Sequence, residues 1–334
     1  MATYKGIKGI PIETIAGDPA NPIEGQVWYN SSSNDMKCYK YVVGTGAWAS
    51  ATASPVAHTD GGGAGSQTAY LAISGYIGGQ AGAGNQAYDG TNWTTVNSLV
   101  QPRYACTGSF GTNTAAITAG GPDGTSNWGT EIYDGTSWTI TSDFNRTTGY
   151  NAMGGAGTST AGLIFNGNPG NVVLTETWDG TSWAETNDQQ NGSHGPFAIG
   201  TQTAALQAGG NIYPAPYTKT SETWDGTSWT EVNDLNTGRG KGCSSGTSTA
   251  GLVAGGNANN PGSDLTEIWD GTSWTEVADM GTGRYQDFGS PGGTSLLALT
   301  TGGAATGSPA ASVNFLVEEW TDPTGNAVKT FTDS

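Results

Sequence analysis

Four arginines (Arg103, Arg146, Arg239, Arg284), two histidines (His58, His194) and four glutamates (Glu131, Glu176, Glu222, Glu267) are the side chains most able to do chemistry here. Three arginines meeting at one point would clamp a substrate carboxylate. Two histidines meeting a tyrosine and a cysteine-linked tyrosine would hold an oxidising copper. The spacing argues against both. Arg103, Arg239 and Arg284 each lie ten residues after a tryptophan, Arg146 lies eight after Trp138, His58 ten after Trp48 and His194 eleven after Trp183. Each glutamate lies seven before the tryptophan of its own unit, with Gln86 in that place before Trp93. Groups that recur once per unit are spread through an assembly, whereas an active site is normally one-off. The expectation is a cation position in each unit, paired with a glutamate of the same or the adjacent unit. Such pairs are worth about 0–1 kcal/mol when exposed and mainly fix geometry when buried.

Other chemistry is thinly supported. The variable loops carry Asp60, Asp123, Asp264 and Asp287, none beside a partner carboxylate at glycosidase spacing, so they read as solvated loop acids. There is no GxGxxG after a strand, no Walker lysine, no HExxH and no GxSxG. Cys38, Cys106 and Cys243 are too few and too scattered for a disulfide framework or a CxxC metal site, and read as free thiols. No cofactor and no metal are expected.

The 334 residues carry 11 Lys and Arg against 28 Asp and Glu, a formal charge of −17. Phosphate binding needs a basic footprint, so nucleic acid is disfavoured, as are anionic membranes. The simplest role of the charge is solubility through self-repulsion. No run of about 18 apolar residues is present, so no membrane insertion is expected. The start, MATYKGIKGIPIETIAGDP, lacks the apolar region of a signal peptide, so synthesis in a cytoplasm is expected. Fifty-five glycines beside 12 tryptophans point to short strands joined by tight turns.

A repeat must position all of these residues. Trp48, Trp93, Trp138, Trp183, Trp229 and Trp274 recur about every 45 residues. Each unit reads as a turn such as GTSTA, a small apolar strand ending in Gly-Gly, a variable loop, a strand such as LTEIWDG, and SWTEV. Four short strands and no helix per unit of this length make one propeller blade. The Asp-Gly pairs at 89–90, 134–135, 179–180, 225–226 and 270–271 predict type I′ turns between the third and fourth strands. The tryptophan after each turn is expected to pack between blades. Burying one removes about 150–250 Å² from water, roughly 4–6 kcal/mol as an upper bound. The fold class is therefore all-β, a propeller of four-stranded blades. Residues 1–52 are expected to form the first of seven blades and 53–334 six repeats of the same domain. Six blades plus a small N-terminal β module is the alternative.

The order Arg, apolar strand, Gly-Gly, aromatic-Asp, Trp resembles the kelch repeat, most clearly in QPRYACTGSFGTNTAAITAGG followed by EIYDGTSW. The resemblance covers 53–320 and implies a four-stranded kelch-like blade. Kelch propellers include enzymes and binding modules, so it says little about activity. TWDGTSW is also similar to the sialidase Asp-box, but is one residue short between Asp and Gly. The opening YKGIKGIP…DPANPIEGQVWYNSSSNDMK resembles virion proteins of marine tailed phages, and GQVWYNSSSN (25–34) resembles a strand–turn segment of phage tail fibres. These resemblances imply a virion component that touches the host surface.

The functional expectation is a non-enzymatic structural component of a phage particle, tail-associated or fibre-like, present in multiple copies with other virion proteins as partners. A host-surface receptor-binding or glycan-binding adhesin is the second reading, and a carbohydrate-active enzyme, either a glycan hydrolase or a copper oxidase, the third. On a propeller, face loops carry function on a rigid scaffold. Here the loops after the double glycines diverge most, and Trp128, Tyr213 and Tyr217 break the repeat there. These three are the candidate binding residues, suited to stacking on sugars or docking on proteins. Packing on neighbouring loops or on another virion subunit is the plainer use of the same residues.

Overall fold

The computed structural model describes residues 12–19, 26–42, 46–77, 80–106, 108–121, 129–147, 151–214, 217–258, 262–289, 291–305, 315–322 and 325–330. Every regular element among them is a strand. The chain divides into two compact units, residues 46–321 and residues 1–45 with 322–334.

The larger unit holds six four-stranded antiparallel sheets arranged like the blades of a β-propeller. Their innermost strands are, in chain order, Gly62–Ser66, Gly108–Thr112, Gly154–Thr158, Phe197–Thr201, Cys243–Thr247 and Arg284–Gly289. Each lies beside the next, and the last returns to the first. The small residues of these strands have a steric cause. A Cβ on Gly63 would come within 2.3 Å of the Gly289 carbonyl oxygen, so only glycine fits where the first and last inner strands meet.

Five sheets are each built from one continuous stretch of chain, the first with a two-stranded hairpin, Tyr76–Ile77 and Gln80–Ala81, between its second and third strands, but the sixth is not. Its inner three strands, Arg284–Gly289, Leu297–Ala305 and Val317–Thr321, are completed by Ala47–Ser50 from the start of the unit. Trp48 lies opposite Trp320 in that pairing. This differs from the expected boundary at residue 52. Trp48 is the fourth-strand tryptophan of the sixth sheet, which explains why the last repeat reads WTDPTGN in place of WDGTSW: its outer strand comes from elsewhere. The remaining N-terminal strands, Glu13–Ile15, Val27–Asn30 and Asp35–Val42, form a sheet with Gly325–Thr330. Its first pair is parallel, unlike any pair in the repeats. The strand–turn segment around Ser31–Asn34 forms as expected, with the Asn30 side chain accepting from the Ser32 and Ser33 N–H groups. Asp18 gathers Trp28, Asn30 and Lys37 in the same unit.

The Asp-Gly turns sit where expected but with a different geometry. Only the glycine has positive φ, 92° at Gly135 and Gly271, whereas type I′ needs two such residues. The loop spans four residues. In the second sheet the Asp134 N–H donates to the Ser137 carbonyl, and Asp134 Oδ1 accepts from the Thr136 and Ser137 N–H groups at 2.8 and 2.7 Å. The aspartate thus serves as a side-chain clip for the turn.

Each tryptophan after a turn stacks on the third-strand aromatic of its own sheet, with centroids 4.8 Å apart for Tyr88–Trp93, 5.1 Å for Tyr133–Trp138 and 5.6 Å for Trp48–Trp320. Trp138, Trp183, Trp229 and Trp274 are buried, Trp48 and Trp93 half-buried. The expected packing between sheets is present: Trp229 meets Phe165 of the preceding sheet at 4.9 Å. Indole N–H groups also cross that boundary, from Trp183 to Thr130, Trp229 to Thr175 and Trp48 to Thr266.

Candidate functional site

The repeated cations and glutamates are scaffold. Arg103–Glu131, Arg146–Glu176, Arg239–Glu267 and Arg284–Glu318 are ion pairs with both partners buried. Glu318 was missed in the spacing; its signal is EEW, two residues before Trp320 as Glu267 is two before Trp269. The glutamates have a further job that the sequence does not display. Each carboxylate accepts backbone N–H groups from the linker entering its sheet: Val100 and Gln101 on Glu131, Asn145 and Arg146 on Glu176, Asn236 on Glu267 and Gly281 on Glu318. These arginines bind their own scaffold and cannot also clamp a substrate.

Two expected cations are not cations. His58 occupies the arginine register but is fully buried, and burial pushes its pKa down to about 4. Its ring Nδ1 lies 3.0 Å from the Ser74 carbonyl oxygen. Gln86 stands in the glutamate register of the same sheet, so both charges are replaced together. His194 is one residue off register. The buried Ser193 takes the arginine position, and among the described residues Glu222 accepts the Gln190 and Asn191 N–H groups. Burial and then Lys241 push His194 down to about 4 as well.

The candidate site lies where the linkers enter the inner strands. Asp60, Ala105, Ala152, Lys241 and Gln286 have left-handed φ between 49° and 59°, and Gly195 has 61°. These six residues form a closed cycle of backbone hydrogen bonds. The Ala105 N–H donates to Asp60, Ala152 to Ala105, Gly195 to Ala152, Lys241 to Gly195, Gln286 to Lys241 and Asp60 to Gln286, over 2.6 to 3.0 Å. The left-handed turn points each N–H at the preceding carbonyl, which accounts for a costly conformation at five non-glycine residues.

The ring is regular in backbone and irregular in side chain. Asp60, Lys241 and Gln286 are polar, while Ala105, Ala152 and Gly195 are small. The Gln286 amide donates to Asp60. A Cβ on Gly195 would lie 2.5 Å from Lys241 Cγ, so the lysine stem crosses where glycine leaves room. Tyr217 is half-buried nearby, its hydroxyl held up mainly by burial and influenced by Asn211, Asn257, Asp60 and Tyr285. Tyr213 is 74% exposed, and its backbone is latched to Asn171 by two hydrogen bonds. Trp128 and Asp123 lie outside the described residues. Asp264 is exposed as expected. The position was legible in principle, because Asp60, Ala105, Lys241 and Gln286 each fall two residues after the His or Arg of their register.

Beneath the ring is a cavity of about 50 Å³ lined by residues including Lys241, Ser109, Ser244 and Asp287. Asp60, half-buried with the Gln286 amide on its carboxylate, and Asp287 both correct the expectation of solvated loop acids. Asp287 is buried within an inner strand, with Oδ2 accepting from the Thr300 hydroxyl at 2.6 Å and Oδ1 lacking a hydrogen-bond partner. Burial pushes its pKa up to about 7, against the opposing pull of Arg284. A folded pKa above the unfolded value means that stability is present below the unfolded pKa and falls as pH rises towards 7. Asp287→Asn is therefore expected to remove a loss on the order of 2 kcal/mol between pH 5 and pH 8. Urea unfolding of both proteins at the two pH values measures it; parallel changes would refute the assignment.

Among the described residues no group of three His, Cys, Asp or Glu is placed to hold a metal ion. No family model matches the chain, and no curated protein matches it in sequence. Among solved structures, that of YjhT is similar to this chain in fold, with a TM-score of 0.65 and 13% identity, over 84% of this chain and 99% of YjhT.

Proposed function

We propose that the chain is a non-enzymatic, kelch-like component of a phage particle, a six-bladed ring whose linker face recognises a host-surface molecule. The six-membered cycle of backbone bonds supports the blade count. It replaces the reading of residues 1–52 as a seventh blade. The observation that carries the recognition role is the side-chain asymmetry of that cycle. Repeated residues are consumed by the scaffold, and the copies stop matching at Asp60, Lys241 and Gln286 on one face. The phage-like opening of the sequence supports the virion assignment, with residues 1–45 and 322–334 as an attachment module separate from the ring.

Antibodies against the full chain, applied to purified particles of the phage encoding it, should label the tail region. Unlabelled particles, with the chain found only in infected-cell lysate, would overturn the virion assignment.

A further inference from the structure

We propose that the backbone ring at Asp60, Ala105, Ala152, Gly195, Lys241 and Gln286 is the seat for one neutral hexopyranose unit of a glycan. This rests on the recognition reading above and gives it a site and a ligand class.

Charge selects the class. Lys241, Gln286 and Asp60 are consecutive in the ring: burial raises the Asp60 pKa against the opposing pull of Lys241, and the Gln286 amide between them donates to Asp60. The opposed charges favour neither an anion nor a cation. They present acceptors and a donor within one ring, which suits a polyhydroxylated neutral ligand whose hydroxyls both donate and accept.

Shape selects the seat. Ala105 is half-buried and puts no long side chain over its part of the ring, whereas Ala152 and Gly195 are buried, so the seat is at Ala105. Next to Ala105 in the chain is Tyr104, which meets the partly exposed Tyr76 edge to face at 5.4 Å. A pyranose has an apolar face that packs on such rings. The cavity below is too small for a sugar, since about 50 Å³ holds one or two waters by liquid volume. It does admit one hydroxyl or hydroxymethyl, and the buried Asp287 carboxyl with its unpartnered Oδ1 lines it. An unsatisfied buried oxygen is costly, and a ligand hydroxyl would relieve it.

The test is titration of the full chain with the methyl glycosides of glucose, galactose and N-acetylglucosamine, read by saturation-transfer NMR and calorimetry. At least one should bind with a millimolar Kd. Lys241→Ala and Gln286→Ala should each weaken binding about tenfold, and Ile140→Ala on an exposed outer strand should leave it within about twofold. Alanine already occupies the equivalent left-handed position at 105 and 152, so both ring variants should fold, which thermal unfolding checks. Binding that survives both ring substitutions, or is lost with Ile140→Ala instead, would overturn the site. So would no binding of any of the three glycosides. Labelled particles without glycoside binding would sink this site and leave the recognition reading standing. Ring-dependent binding by a chain absent from particles would do the reverse.

Discussion

Glu267→Ala is expected to lower the unfolding free energy by about 3–5 kcal/mol. The glutamate carries two loads. Oε1 accepts from the Arg239 guanidinium at 2.6 Å, and Oε2 accepts from the Asn236 N–H at 2.8 Å and its side-chain amide at 2.9 Å. Removing it strands a fully buried guanidinium whose other acceptor among the described residues is the Val253 carbonyl at 3.4 Å, with Arg239 Nε already unpartnered. It also releases the linker from the preceding sheet. The loads separate in a double variant. Replacing a buried ion pair by apolar residues is often close to neutral, so Arg239→Met with Glu267→Met should recover most of the loss. The linker N–H still lacks its acceptor, so a deficit of about 1–2 kcal/mol should remain. Glu222 supplies the control, since its carboxylate holds the linker at Gln190 and Asn191 and no arginine pairs with it. Glu222→Gln should therefore cost less than Glu267→Ala. Denaturant unfolding of the four proteins checks the order, and full recovery in the double variant would mean that the linker contact contributes nothing.

The parts of this molecule that were legible in the sequence are those stated by a short period. Six tryptophans at a constant step point to four-stranded sheets, and the offsets of arginine and glutamate from them predicted three of the four buried ion pairs in kind, Arg284–Glu318 being the exception. Three things escaped for physical reasons. The glutamates hold backbone N–H groups, and a backbone donor has no residue type to read. Phase alone cannot distinguish the start of a further unit from the end of the last, because in a closed array both occupy the same register; Trp48 fits either, and only the degenerate WTDPTGN hints which. The left-handed ring was hidden because its members are Asp, Ala, Ala, Gly, Lys and Gln, with a single glycine to signal positive φ. Two inserted residues around Arg146 also break the count, so that Ala152 falls fourteen after Trp138 where the other members fall twelve after their tryptophan. The site thus lay at the positions that a search for repetition discards.

Trp48→Ala is expected to cost about 2–4 kcal/mol, and to do so with a signature that the same change at an interior sheet lacks. The side chain is half-buried, stacked on Trp320, with its indole N–H donated to Thr266 Oγ1 of the fifth sheet at 2.9 Å. The contact set resembles that of Trp183, which stacks on Trp178 and donates to Thr130. Connectivity separates them. Trp183 is tied to its partner strand by a four-residue turn, whereas the strand Ala47–Ser50 meets Val317–Thr321 some 270 residues away in the chain. Loop-closure entropy grows as the logarithm of length, so holding the distant pair together costs roughly 3–4 kcal/mol more than holding the hairpin. In the folded ring the surrounding sheets meet that cost collectively. Once the indole is gone, the four residues of the closing strand retain backbone bonds and little else, and local release becomes cheaper than global unfolding. Amides of 47–50 and 318–321 should then exchange with solvent well before those of the other outer strands in Trp48→Ala. In Trp183→Ala the loss should instead appear as a uniform fall in global stability. Equal protection of the closing strand in both variants would show that the sixth sheet is held by its neighbours and that its N-terminal strand is no clasp.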